Sequence, residues 1–355
     1  MNRQEFLHEA TSKGLGALAL PYLNLPGIFK EIPMGIVVHS YASRWNPKVA
    51  SQKYPGFTNA IELIEHCHQI GAGGVQVGVK DWTSDFVKNV RDRREKLGLY
   101  LEGSIQVPKS AGDVPAFEKD IINAKEAGIS ILRTVTSTGR RYEVMHSTEA
   151  VNEFKKTAMS SLQLTEPVLK KHKMKLAVEN HKDWMADELV GAMKLVESEW
   201  VGVTLDFGNS ISLLEDPMEV IEKLMPYVFT THVKDMGVQE YPDGFLLSEV
   251  PLGKGLLDLP KIISLCKKKD ATMTYNLEMI TRDPLPIPCL KDEYWKSFEG
   301  ISGSDLARTL RMVKANGYKN SLPRFSQLER EELLGAEEQN ILECLSYSKS
   351  SLGLN

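Results

Sequence analysis

The chain alternates eight times between a short, nearly uninterrupted apolar run and an amphipathic segment with helical spacing. The strand-like runs are 34–39, 74–79, 98–103, 129–135, 174–180, 201–206, 228–234 and 273–279. They are rich in Val, Ile, Leu and Thr and apolar on both faces, as strands covered by helices must be. The helical patterns are 57–71, 83–97, 113–128, 148–173, 185–198, 216–225, 258–270 and 303–317. Thr83 or Ser84 offers an N-cap, and Gly71, Gly128 and Gly317 stand where helices stop. Strict βα alternation implies a parallel sheet, and eight units imply closure into a (β/α)8 TIM barrel. A doubly wound nucleotide-binding sheet would need a Gly-x-Gly-x-x-Gly turn after the first strand. Here the glycines of "GAGGVQVG" precede a strand, so they read as helix stop and turn.

Three segments organise the chain. Residues 34–318 form the barrel domain, and residues 1–33 and 319–355 flank it. The start reads as a helix over about 3–20 packed under the barrel. The alternative is a twin-arginine-like leader, weakened by having only Arg3 where two arginines are needed. A cytoplasmic location follows from the first reading and a periplasmic one from the second. The proline-rich loop 281–295 follows the eighth strand and is placed to roof the barrel mouth, and 324–352 is helical by pattern. No apolar run is long enough for a membrane span. A net charge of −4 supplies no basic face for nucleic acid. Cys67, Cys266, Cys289 and Cys344 are widely spaced, which argues against disulfide frameworks and structural zinc.

Four residues interrupt the apolar runs at their C-terminal ends. They are Glu179 in "KLAVEN", Asp206 in "VGVTLDFGN", His232 in "VFTTHVKD" and Glu278 in "MTYNLEMITRD". In a parallel barrel these strand ends share one mouth, so residues remote in sequence converge. A buried carboxylate is costly unless it is paired or liganded. Three carboxylates and one imidazole suit one divalent cation: manganese first, with magnesium, cobalt or zinc as alternatives.

These motifs, "AVEN", "LDFGN", "THVKD" and "NLEM", together with "PLGKGLLDLPKII" at 251–263, resemble the xylose-isomerase-like TIM-barrel superfamily of sugar phosphate isomerases and epimerases. The resemblance spans about residues 34–318. It implies that Glu179, Asp206, His232 and Glu278 bind one divalent metal, with Glu179 and Glu278 also serving as acid and base. The implied chemistry is proton abstraction next to a sugar carbonyl through an enediolate that the metal stabilises, giving isomerisation or epimerisation. Loss of the adjacent hydroxyl would instead make the protein a dehydratase or lyase of a keto-sugar or inosose. The ketose 3-epimerase grip on substrate is largely absent, because Asn209, Val238 and Met185 stand where that group has a second His, an Arg and an acid. The family's DNA-repair branch needs an Asp-x-His pair that is missing between strands seven and eight.

Around the quartet, His181 and Lys234 are candidate substrate contacts, joined by Asn209 and His39 at the mouth. Gln76 ends an earlier strand and could line the pocket. Arg133, a charge inside "ISILRTV", reads either as an anion ligand or as the partner of Glu102 on the preceding strand. Residues 136–143 read as an anion site or a solvated turn. Trp184, with Trp45, Trp82 and Trp295, lies in the βα loops, either as a sugar platform or as packing. Asp235 reads as a turn or supporting residue. The expected partner is a small-molecule carbohydrate, with a homodimer or higher homo-oligomer in keeping with the resemblance. The contrasting reading is a carbohydrate-binding barrel without catalysis.

Overall fold

The computed structural model describes residues 33–355 apart from Thr138. The expected N-terminal helix or leader lies outside the described residues. Eight parallel strands close into a barrel in the order β1–β2–β3–β4–β5–β6–β7–β10. They are β1 (Gly35–Val37), β2 (Gly74–Gly78), β3 (Tyr100–Ser104), β4 (Ile131–Thr134), β5 (Lys175–Glu179), β6 (Val201–Asp206), β7 (Val228–Val233) and β10 (Tyr275–Leu277). The numbers β8 (Asp235–Tyr241) and β9 (Gly244–Val250) belong to a hairpin inserted after β7.

Helices cover the barrel between strands: α1 (Ala60–Gln69), α2 (Ser84–Leu97), α3 (Val114–Glu126), a short α4 (Arg141–Val144), α5 (Thr148–His172), α6 (Ala186–Val196), α7 (Pro217–Leu224) and α8 (Leu259–Lys269). Local chemistry sets their ends. Asn59 caps α1 by accepting from the Ile61 and Glu62 amides, so that helix begins later than its hydrophobic pattern. Thr83 caps α2, and Gly98 closes it in the left-handed conformation. One contiguous apolar cluster joins strands and helices, including Val75, Val77, Leu63, Ile64 and Val90.

The barrel interior is not wholly apolar. Glu102 of β3 is buried at its centre and accepts from Gln76 Nε2 at 3.0 Å, Thr230 Oγ1 at 2.9 Å and Asn276 Nδ2 at 3.0 Å. Thr274 Oγ1 also donates to it. This ring satisfies Glu102, and the expected pair with Arg133 does not form. Strand register explains why: Arg133 lies opposite Ser104, two residues along β3 from Glu102 toward the mouth. From that level it reaches Glu179 instead.

The segment after β7 holds the largest departure from a minimal barrel. The β8–β9 hairpin turns at Pro242–Asp243, and Leu285–Ile287 of the 281–295 loop joins β9 antiparallel as β11. Helix α9 (Asp292–Trp295) follows, then α10 (Gly303–Ala315) and α11 (Arg330–Leu352). A second apolar cluster, including Met236, Phe245, Leu247, Ile287 and Tyr294, fills the space beneath this sheet. Asp235 braces its base by accepting from the amides of Met236, Gly253, Gly255 and Leu257. A Cβ on Gly255 would stand 2.1 Å from Asp235 Oδ1, so only glycine allows that approach.

Helix α11 clamps the turn that follows β1. Glu337 accepts from the Ser43 and Arg44 amides at 2.8 and 3.2 Å, and Arg44 Nη1 pairs with Glu338 at 2.5 Å. Burial raises Glu337 from its ordinary 4.5 to about 7, against the lowering effect of those amides. Its folded value lies above its unfolded one, so the native chain holds a proton that the unfolded chain releases. That contribution is complete below about pH 4.5 and is lost as pH rises through about 7. Urea unfolding at pH 5 and pH 8 should therefore show a loss of order 1–3 kcal/mol across the interval that Glu337→Gln reduces. An unchanged pH slope in the variant would refute this account.

Candidate metal centre and active site

Glu179, Asp206, His232 and Glu278 converge at the barrel mouth with ligand atoms all within 4.8 Å of one another. Glu179 and Asp206 end β5 and β6, His232 is the penultimate residue of β7, and Glu278 directly follows β10. All four side chains are buried. Asp206 Oδ1 accepts from the Gly208 and Asn209 amides at 3.0 and 2.9 Å, which turns the chain sharply after β6. Its second oxygen lies 2.7 Å from Lys234 Nζ.

The test of whether a cation fits here lies in the imidazole. His232 Nε2 is 2.8 Å from Gln76 Oε1, and Gln76 spends its own amide donor on Glu102. Gln76 therefore presents an oxygen, and His232 must carry its proton on Nε2. Nδ1 is left buried, without a hydrogen-bond partner among the described residues, 3.5 Å from Glu179 Oε2 and 3.6 Å from Glu278 Oε1. A lone pair facing two carboxylates is repulsive unless something positive lies among them. Burial disfavours a charged ring, yet Glu278 and Glu179 outweigh it and raise the His232 pKa. Either a proton or a metal ion satisfies this geometry, and the oxygen-rich donor set suits a hard divalent cation.

Both glutamates are held ionised. Burial would raise Glu179, but Arg133 and His232 override it and hold it near 2. Arg133 Nε donates to its Oε2 at 2.6 Å, and Asn209 Nδ2 donates to its Oε1 at 3.1 Å. Burial likewise opposes ionisation of Glu278, and Lys234 and His232 hold its pKa well below the ordinary value. Lys234 Nζ lies 2.6 Å from its Oε2 and His39 Nδ1 lies 3.2 Å from its Oε1. Lys234 is pushed upward by Asp206 and Glu278 despite complete burial, so it stays an ammonium.

A cavity of about 300 Å³ opens above these groups, with His39, Arg133, His181, Asn209, Lys234 and Glu278 in its wall. His181 contributes a buried Nδ1 that has no hydrogen-bond partner among the described residues. Trp184 does not line it. Its indole packs on Phe154 and donates to Thr136 Oγ1. Trp82 packs against Phe86 and Trp295 against Tyr294 and Phe298, whereas Trp45 is exposed and outside the cavity wall. Gln76 lies below the mouth as the partner of His232 and is not in the cavity wall. Arg140 comes from the 136–143 segment, whereas the wall residues Lys182 and Arg282 were not singled out from sequence. Arg282 is held by Glu249 of β9 at 2.6 Å, so the hairpin supplies a buttress to the site. The one available signal was "YPDGF", a hairpin turn between alternating residues, which places Glu249 beside the barrel.

The sequence matches the xylose isomerase-like TIM barrel family over residues 59–297, more than half of the chain. The chain belongs to that family. It is 26% identical over 231 residues to a 3-oxo-isoapionate decarboxylase of Pectobacterium atrosepticum, covering 63% of this chain and 78% of that protein. Among solved structures, a D-psicose 3-epimerase determined in the presence of D-fructose superposes with a TM-score of 0.58 at 15% identity, covering 90% of this chain and 99% of that one. A family member from Mycobacterium smegmatis in complex with magnesium gives a TM-score of 0.54 at 16% identity, covering 81% and 98%. These similarities establish the fold. With the buried quartet, they support a metal-dependent, sugar-active enzyme of this family.

The hydrogen bond from His232 to Gln76 has a measurable consequence. Gln76→Leu should weaken Mn²⁺ binding by roughly 10- to 100-fold in calorimetry while the chain stays folded. Wild-type affinity in that variant would show that Gln76 does not orient the ligand.

Proposed function

We propose that this protein is a divalent-metal-dependent carbohydrate isomerase or epimerase that removes a proton next to a substrate carbonyl. The observation that carries the reading is the set of three acceptors, His232 Nδ1, Glu179 and Glu278, facing one another in a buried mouth beside a polar cavity. Glu179, Asp206, His232 and Glu278 would hold the ion, with manganese the first choice. Bound there, a divalent ion would polarise a carbonyl and acidify the neighbouring C–H.

The remaining work falls to the protein. Glu179 and Glu278 are ionised at neutral pH, the form that a general base requires. Arg133 and Asn209 fix the first in place, and Lys234 and His39 fix the second. Two carboxylates on different strands allow removal at one face and return at another, the requirement for epimerisation. Asn209, His181, Lys234 and His39 would position the substrate's oxygens. Burial lowers His181 to about 3, with Lys182 and Arg133 adding to that, so it would meet substrate as a neutral imidazole.

Decarboxylation or dehydration on the same centre is the second reading, favoured by the similarity to a decarboxylase. Isomerisation, epimerisation and dehydration begin by removing a proton next to a carbonyl, so one assay covers them, whereas decarboxylation would release CO₂ and place deuterium from D₂O in the product. The full chain loaded with Mn²⁺ should exchange the α-proton of ketohexoses or keto sugar acids with D₂O, read by proton NMR. Chelation should abolish the exchange, and Glu278→Gln should slow it by roughly 10²- to 10⁴-fold. Sugar binding that survives chelation, with neither exchange nor a deuterium-labelled product, would identify a non-catalytic binding barrel instead.

A further inference from the structure

Five cationic side chains stand in the wall of the cavity: Arg133, Arg140, Lys182, Lys234 and Arg282. Four have carboxylate partners. Arg133 pairs with Glu179, Lys234 with Asp206 and Glu278, Arg282 with Glu249, and Arg140 with Glu143. Lys182 is different. It is 2% exposed, and among the described residues its ammonium has one hydrogen-bond acceptor, the Asn209 amide oxygen, and no carboxylate within ion-pair distance. An ammonium out of water without a counter-ion is a destabilising arrangement that natural proteins keep for a reason.

We propose that the cavity takes a monosaccharide bearing a carboxylate, and that Lys182 Nζ is the group that binds that carboxylate. The proposal rests on the reading of this cavity as the substrate site of a carbohydrate enzyme, and it adds the substrate class. Nζ has three N–H groups and spends one on Asn209, leaving two for the oxygens of one anion. The hydroxyls of a neutral sugar would satisfy those donors without offsetting the charge.

Charge balance points the same way. The five carboxylates paired with wall cations, Glu143, Glu179, Asp206, Glu249 and Glu278, all belong to the other four, so an anionic ligand would supply the partner that Lys182 lacks. The volume of about 300 Å³ is at the small end for ligand sites, which suits a single sugar unit.

Asn209 makes the recognition directional. Its Nδ2 donates to Glu179, which fixes the amide so that Oδ1 faces Lys182. One side chain therefore ties the proposed carboxylate anchor to a ligand of the proposed metal. His181 lies in the same wall, with a buried Nδ1 that has no hydrogen-bond partner among the described residues. Burial and the nearby Lys234 lower Lys182 to about 8, so it remains mostly charged at neutral pH.

The test compares sugars that differ only at C6. With the Mn²⁺-loaded full chain, calorimetry would measure D-fructose and D-tagatose, their 6-carboxylates D-fructuronate and D-tagaturonate, and their 6-phosphates. At least one carboxylate should bind tenfold or more tightly than its neutral counterpart. Lys182→Met should erase that preference. Equal binding of neutral and carboxylated sugars, a preference for phosphates, or a preference that survives in Lys182→Met overturns the proposal. If the variant does not fold, the wild-type comparison and its weakening by added salt decide the matter. Mn²⁺-dependent proton exchange without carboxylate preference sinks this inference alone, whereas a chain that binds no metal sinks the functional reading beneath it.

Discussion

Three acceptors that face one another with no donor between them are the constraint on which the mouth of this barrel depends. His232 Nδ1, Glu179 and Glu278 repel unless a positive charge joins them, and no rotation of His232 cures this, because Gln76 holds its other nitrogen. The surrounding charges follow from that fact. Arg133 and Lys234 lean in to hold the glutamates ionised, and Asn209 fixes the remaining oxygen of Glu179. Deeper still, Glu102 fixes Gln76, so the tautomer of a ligand at the mouth is set by a carboxylate in the middle of the barrel. The polar layer of Gln76, Glu102, Thr230 and Asn276 gives up apolar packing at the centre of the core and in return orients the site above it.

The barrel was legible because its signal is repetition: eight strands apolar on both faces, each followed by a helix with its own cap or stop. The quartet was legible for the complementary reason. A carboxylate at the end of a buried strand is hard to explain as packing, and four such interruptions in a parallel barrel can only meet at one end. What stayed hidden depends on partners. Arg133 announced itself as a buried charge, but strand sequence alone does not give register, and register is what separates Glu102 from Glu179 as its mate. The tryptophans read equally as platform or packing until their neighbours were known, and Trp184 proved to be packed.

Lys182 and the inserted hairpin were hidden for different reasons. A lysine in a loop is ordinary in any sequence, and only its burial beside a single amide oxygen marks it out. The hairpin carried its own turn in "YPDGF", but the strict βα rhythm of the chain drew attention to the helix at 258–270 that follows. That sheet is what distinguishes this barrel locally. It unites the loops after β7 and β10, and Glu249 on its β9 strand positions Arg282.

Helix α11 has a bearing on the order in which the molecule is made. The turn after β1 carries His39, which reaches Glu278, and the same turn is pinned by Glu337, 294 residues later than Ser43. During synthesis that turn emerges early and waits for its clamp through the growth of the whole barrel. The part of the mouth that carries His39 is thus held by residues nearly three hundred positions away, so it depends on the docking of α11 as well as on closure of the barrel.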